Sequence, residues 1–494
     1  MEAKKHNILW ICTDSQRWDT LGCYGNPWVR TPNLDRLASR GILFENAFCQ
    51  NPLCTPSRGN FLTGRYPVTN KLRQNGQDIS PDEVLVTRVL HDNGYVCGLS
   101  GKLHICACDH RLKLFGKNDW WKHDAERMFR GTEPRVNDGY DEFYWDHAPG
   151  PNMRSSAYLR WLQERGQTLD YPKRDDSEHV LHGMPEAFTQ TAFCVEKAMG
   201  FIEAYKGSHY PWLFSVNIFD PHFSLRPCDR LLERYLEKLD ELPDVDFLEG
   251  ELDNKPPCQK RWSRPPHPWG MHFDKISQHE RKLIKAAYWA MVDHIDAEVG
   301  RLLDTLDKTG QAENTLVIFT TDHGEMLGDH GLYVKGPALY EGAVHVPLIV
   351  SMPGVIPEGI RTPALVELGD LAPTVLDYAG LPREPGMQAR SLWPLLTGEA
   401  PADSFRDDVY CEYYNSNMDD PPQFLTMVRD HHAKIIVSHG KECGELYDLD
   451  ADPKEFKNLW DDPAAADLKS RMLKKTCDAM ARTIDPLPER IGIY

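Results

Sequence analysis

Five runs along this chain, 7–13, 95–100, 212–218, 315–320 and 346–351, are apolar throughout rather than alternating. A strand wetted on one face alternates polar and apolar residues, whereas one covered by helices on both faces does not. Each run is followed by a polar loop and then a helical pattern. That succession predicts an α/β fold: a large, mostly parallel sheet sandwiched by helices. The longest predicted helix covers 278–309, with Ala286, Ala287, Met291, Ile295, Val299 and Leu302 at helical spacing. Past residue 400 the runs are shorter and more alternating. Segments 409–413, 424–428, 432–437 and 445–447 predict a small antiparallel sheet, and 464–484 a terminal helix. Gly398, Pro401 and Asp403 punctuate the change, so the expected division is a large domain over 1–400 and a smaller α+β domain over 401–494. Two stretches, 107–206 and 225–275, read as long excursions laid over one edge of the sheet. In the second, Pro256-Pro257, Pro265-Pro266 and Pro268 argue against regular helix.

In an open α/β sheet, functional groups collect just beyond the carboxyl ends of the strands. Here those positions carry Asp14, then Lys102 and His104, then Asp220-Pro221-His222, then Asp322-His323. Four strands thus deliver charged or imidazole groups to one edge. Asp14 and Asp322 are hard oxygen donors suited to a cation, and His323 adds a nitrogen. A fifth segment, Cys54-Thr55-Pro56-Ser57-Arg58, joins a thiol to a rigid proline and a permanent cation that can hold an anion beside it.

Composition narrows the partners. With 41% hydrophobic and 26% charged residues the chain can bury a sizeable core. A formal net charge of -18 repels nucleic-acid backbones and anionic membranes at long range. An anionic substrate therefore requires a local cationic pocket or a metal. The 13 cysteines, odd in number and without a regular framework, read as reduced thiols. Cys106-Ala107-Cys108 is spaced too tightly for a structural zinc pair. The first apolar run is too short for a signal peptide, and no stretch reaches transmembrane length, so the expectation is a cytoplasmic protein without a membrane partner.

Several separated motifs together resemble the type I sulfatases of the alkaline phosphatase superfamily. They are Cys54-Thr55-Pro56-Ser57-Arg58 with Leu62-Thr63-Gly64-Arg65 behind it, Thr31-Pro32-Asn33-Leu34-Asp35, Gly139-Tyr140-Asp141-Glu142-Phe143, Leu332-Tyr333-Val334-Lys335-Gly336 and Glu445-Leu446-Tyr447-Asp448-Leu449. The resemblance implies an alkaline-phosphatase-like fold and a sulfuric ester hydrolase. It implies that a formylglycine-generating enzyme oxidises Cys54 to an aldehyde whose hydrate attacks sulfur. The resulting sulfated hydrate would then break its C–O bond as the second hydroxyl is deprotonated. By the same resemblance one divalent cation is held by Asp14, Cys54, Asp322 and His323, and Arg58, Lys102, His222 and Lys335 clamp the anion. His104 takes the proton from the second hydroxyl, and His222 assists the leaving alcohol. The chain departs from the family at Asp14-Ser15-Gln16, where many sulfatases carry two adjacent carboxylates. Calcium is the ion the family implies. One acid fewer and an imidazole at 323 leave manganese open, and leave open whether Ser15 or Gln16 takes part.

Two other functions fit the same residues: a phosphonate monoester or phosphodiester hydrolase of the same superfamily, and a non-catalytic binder of sulfated glycans that keeps its thiol. The expected substrate is a small-molecule or saccharide sulfate ester, with Trp120, Trp121, Trp145, Trp262 and Trp269 available to stack on a ring. A closed homodimer is the base-rate assembly.

Overall fold

A computed structural model describes residues 6–109, 113, 133–148, 156–264, 271–401, 403, 405–417 and 419–488. Its larger sheet has eight strands: β1 (Asn7–Thr13), β2 (Gly41–Phe48), β3 (Val96–Gly101), β4 (Glu142–Trp145), β5 (Trp212–Asn217), β6 (Thr315–Thr321), β7 (His345–Ser351) and β8 (Ile360–Glu367), in the spatial order β4-β3-β5-β1-β6-β7-β2-β8. β7 runs antiparallel to both its neighbours, and the other pairings are parallel. Alternate residues of one strand enter different cores. Ile8, Trp10 and Cys12 pack into one apolar cluster, Leu9 and Ile11 into the other. This two-sided burial is why the strands read as unbroken apolar runs.

Helix Gln278–Thr309 covers one face, with Ser277 capping its first turn and Gly310 closing it in the left-handed conformation. On the other face lie helices Cys54–Thr63 and Leu371–Ala379. A separate four-stranded antiparallel sheet, β9 (Val409–Tyr414), β10 (Phe424–Arg429), β11 (Ala433–Ser438) and β12 (Gly444–Asp448), is backed by helix Ala466–Arg482. Among the described residues no helix is long and apolar enough to cross a membrane.

Three expectations need correction. The 225–275 stretch contains helices Asp229–Leu236 and Pro257–Trp262. Pro257 does not exclude the second helix because it occupies its first turn, where the missing N–H would have had no partner. The 107–206 stretch is not all loop, since it carries β4 and helices Ala157–Glu164 and Gln190–Ala204. Trp145 and Trp262 are buried and donate their indole N–H inward, to Glu133 and to the Tyr333 carbonyl, so they pack rather than present a stacking face. Trp120, Trp121 and Trp269 lie outside the described residues.

Candidate active site

The strand ends converge as the apolar runs imply. β1 ends beside Asp14, β6 beside Asp322, and β3 beside Lys102. β2 reaches the same edge and leads through Cys49–Leu53 into the helix that begins at Cys54. Every residue of that ten-residue helix is buried. Cys54 stands at its first position, where unpaired backbone N–H groups and the helix dipole favour negative charge.

Arg58, one turn on, is fully buried and organises the carboxylates. Its Nε donates to Asp322 Oδ2 at 2.9 Å, Nη2 lies 2.9 Å from Asp322 Oδ2 and 3.3 Å from Asp14 Oδ2, and Nη1 donates to the Lys102 carbonyl at 2.8 Å. Lys102 Nζ donates to Asp14 Oδ2 at 2.6 Å. The cations therefore pin the Oδ2 of each carboxylate and leave each Oδ1 facing the thiol and imidazole. Cys54 Sγ is 3.7 Å from Asp14 Oδ1 and 3.2 Å from His323 Nε2, and His323 Nε2 is 3.7 Å from Asp322 Oδ1.

His323 is held in one tautomer: Nδ1–H donates to the Gly324 carbonyl at 2.8 Å, which leaves the Nε2 lone pair aimed into the cluster. One donor atom from each of Asp14, Cys54, Asp322 and His323 lies within 4.8 Å of the others, and all four residues are buried. Two oxygens, one sulfur and one oriented nitrogen converging in a buried pocket fit a divalent cation.

The electrostatics follow from this packing. Burial alone would raise the Asp14 carboxyl, but Lys102, His222, Arg58 and Lys335 outweigh it and hold the group well below the ordinary carboxylate value. Burial and Asp14 push the Cys54 thiol up; Lys102, Lys335 and His323 reverse this and bring it below its ordinary value. Cys12, on the neighbouring strand, is instead pushed well up by burial and stays an inert thiol. Burial opposes protonation of His323, yet Asp322 and Cys54 raise it to about 9, so the Nε2 lone pair takes a proton near neutral pH unless a cation occupies it.

At the open side stand His222 and Lys335, both partly exposed. His222 Nδ1–H is held by the Phe223 carbonyl, and its Nε2 meets Lys335 Nζ. Lys335 also donates to Ser15 Oγ at 3.3 Å, and Ser15 Oγ donates to Asp14 Oδ1 at 3.0 Å. Burial, followed by Lys335, keeps His222 well below the ordinary imidazole value. His104 is buried beyond Lys102, and burial, His147 and Lys102 keep it well below the ordinary value too. Ser15, His104 and Val334, each a site residue or next to one, have left-handed backbone with φ of 64°, 57° and 58°. Such outliers concentrate where a fold positions chemistry.

The structure thus brings all nine sequence-derived residues into one neighbourhood. It also adds residues no motif announced. Asn217 donates to the Lys102 carbonyl at 2.8 Å, and its place at the end of β5 was a usable signal. His147 packs edge-on against His104 with ring centroids 4.3 Å apart, and Glu133 binds the backbone of the His104 loop. Glu133 comes from a stretch without a recognisable pattern, and His147 lies just past the end of β4, a short strand that the apolar runs did not mark. His330, one histidine among 20, is turned away: Nδ1 meets Glu251 Oε2 at 2.7 Å and the ring packs at a tilt against Tyr340.

A family model described as Sulfatase matches residues 6–381, and one described as N-sulphoglucosamine sulphohydrolase, C-terminal, matches residues 328–482. The chain is 26% identical to the N-acetylglucosamine-6-O-sulfatase of Bacteroides thetaiotaomicron, over 93% of this chain and 83% of that protein. It is 29% identical to an arylsulfatase of Clostridium perfringens, over 92% of this chain and 90% of the relative. The solved phosphonate monoester hydrolase of Silicibacter pomeroyi shares the fold, with a TM-score of 0.80, 24% identity, and coverage of 97% of this chain and 96% of that one.

Proposed function

The chain belongs to the sulfatase family, sulfuric ester hydrolases by type, and from that premise we propose that it cleaves a sulfate monoester at position 54, with Cys54 converted to formylglycine. The observation that carries this reading is the placement of the Cys54 sulfur 3.2 Å from His323 Nε2 and 3.7 Å from Asp14 Oδ1, at the head of a buried helix. When present, the aldehyde hydrate supplies the nucleophilic oxygen, and a divalent cation held by Asp14, Asp322, His323 and residue 54 supplies Lewis-acid polarisation. The resemblance implies calcium, and the imidazole donor leaves manganese open.

The chain's own residues do the rest. Arg58 acts on the carboxylates rather than on substrate, fixing the direction of each Oδ1. Lys102 from below and Lys335 from the mouth bracket the space where sulfate oxygens gather charge, the arrangement that stabilises a transition state rather than a ground state. The Lys335–His222 couple holds a proton at the mouth, placed for the oxygen of the departing alcohol. His104 is kept neutral, and its buried Nδ1 has no hydrogen-bond partner, the state in which an imidazole accepts a proton. The names of the relatives point to aryl or saccharide esters as the alcohol component.

Ser15 in place of a second carboxylate, together with the shared fold of the phosphonate hydrolase, favours one competing reading, a phosphonate monoester or phosphodiester hydrolase. Turnover of 4-nitrophenyl sulfate against a phosphonate monoester and a phosphodiester separates the two.

Activation is tested by co-expression with a formylglycine-generating enzyme. The Cys54 peptide should lose about 18 Da as CH₂SH becomes CHO. Sulfate ester turnover should appear with that change, and Cys54→Ala should lower kcat by about 10³-fold or more while leaving the fold intact. A purely thiol protein that hydrolyses the ester as well as the converted one defeats the proposal.

A further inference from the structure

Glu133 lies 29 residues beyond His104 in sequence, yet its carboxylate is buried against the His104 loop with 3% of the residue exposed. It accepts four hydrogen bonds. Oε2 takes His104 N–H at 2.7 Å and Trp145 Nε1–H at 3.1 Å; Oε1 takes Ile105 N–H at 2.5 Å and Cys106 N–H at 2.8 Å. Three successive backbone N–H groups turned toward one carboxylate form an anion-holding nest.

We propose that Glu133 is a positioning residue for the proposed reaction, clamping the backbone of residues 104–106 and the Trp145 indole so that His104 is held beside His147 next to Lys102. The inference rests on the assignment of proton transfer to His104.

Three observations support it. His104 has φ 57°, a conformation that a non-glycine residue keeps only where its surroundings enforce it, and the bonds to Glu133 begin at that residue's own N–H. The second arm of the clamp reaches the partner ring, because the Trp145 indole stacks on His147 at 6.3 Å and His147 packs against His104 at 4.3 Å. Both imidazoles carry a buried Nδ1 without a hydrogen-bond partner, so that edge of each ring is placed by the backbone and by packing. Burial raises the Glu133 carboxyl above its ordinary value, against the pull of its hydrogen bonds. Every partner is an N–H donor, so the carboxylate is the form the loop can satisfy.

The test is Glu133→Gln, which keeps the size but turns an NH₂ toward backbone N–H groups. In the unconverted protein, with histidine rings isotopically labelled, the His104 ring signals, assigned by their loss in His104→Ala, should shift or broaden while those of His330 stay in place. In the converted enzyme acting on 4-nitrophenyl sulfate, kcat should fall by about 10- to 100-fold with KM changed less than about threefold. In a His104→Ala background the same substitution should change kcat by less than about twofold, since a residue acting through His104 has nothing left to position. Unmoved His104 signals, or an equal fall in kcat in both backgrounds, overturn the proposal. Should Glu133→Gln fail to fold, Trp145→Phe removes one of the four donors and should produce a smaller change of the same kind, about two- to fivefold, again absent without His104. If the converted wild type turns over no sulfate ester, the functional reading fails, and the ring signals still decide the role of Glu133.

Discussion

Arg58 shows how one buried side chain can set the charges of a site in place. Its three nitrogens are spent on Asp14, Asp322 and the Lys102 carbonyl, and neither it nor the two acids has side-chain exposure. Lysine carries the same charge but a single point of donation, and cannot hold two carboxylates and a carbonyl together. Arg58→Lys should therefore leave a carboxylate buried and incompletely paired, at a cost of about 3–5 kcal/mol in unfolding free energy. Denaturant titration measures that loss, and a change below about 1 kcal/mol would show that the guanidinium geometry is dispensable. At this scale the sequence was informative about identity and silent about direction. The motif placed a cation near Cys54, and only the packing shows that it faces the carboxylates. Glu133 was illegible because it sits neither at a strand end nor in a patterned segment, and His147 because β4, which it closely follows, is too short to stand out as an apolar run.

The elements carry the site by where they stop. β3 ends at Gly101, with φ 96°, and a Cβ built there would stand 1.9 Å from the Asn217 carbonyl oxygen of β5. The strand thus turns abruptly into Lys102, whose N–H bonds that same carbonyl at 3.1 Å. Gly101→Ala meets both a forbidden φ and a backbone clash, and should destabilise by about 3 kcal/mol or more, with Lys102 displaced from Asp14. A melting temperature within a degree of wild type would contradict this account.

The strands that deliver the site were readable because two-sided burial demands unbroken apolar runs, and β1 occupies the very residues the pattern marked. β2 escaped notice because Glu45 and Asn46 interrupt it at an irregularity in register. β8 carries Pro363 and alternates at its start, as a strand at the sheet edge can. Helix Pro257–Trp262 was missed because its proline reads as a breaker until its position within the helix is known.

The molecule as a whole is acidic, with a formal charge of -18, yet around Cys54 it gathers Arg58, Lys102, Lys335 and several imidazoles. Those cations bear on what happens when no divalent ion is present. Each carboxylate keeps a partner on its Oδ2, so the metal-free protein should remain folded, and added metal should stabilise a structure that already exists. An ion that binds only the folded form adds about 2.7 kcal/mol at one hundred times its dissociation constant, so the melting temperature should rise with metal concentration after chelation and dialysis. This readout needs neither activation nor turnover. If His323 Nε2 is a ligand, as its fixed tautomer suggests, manganese should stabilise more than calcium. In His323→Ala that advantage should vanish while some response to calcium persists through Asp14 and Asp322. An unchanged response in Asp322→Asn would place the ion elsewhere in the molecule and remove the cation from the proposed chemistry.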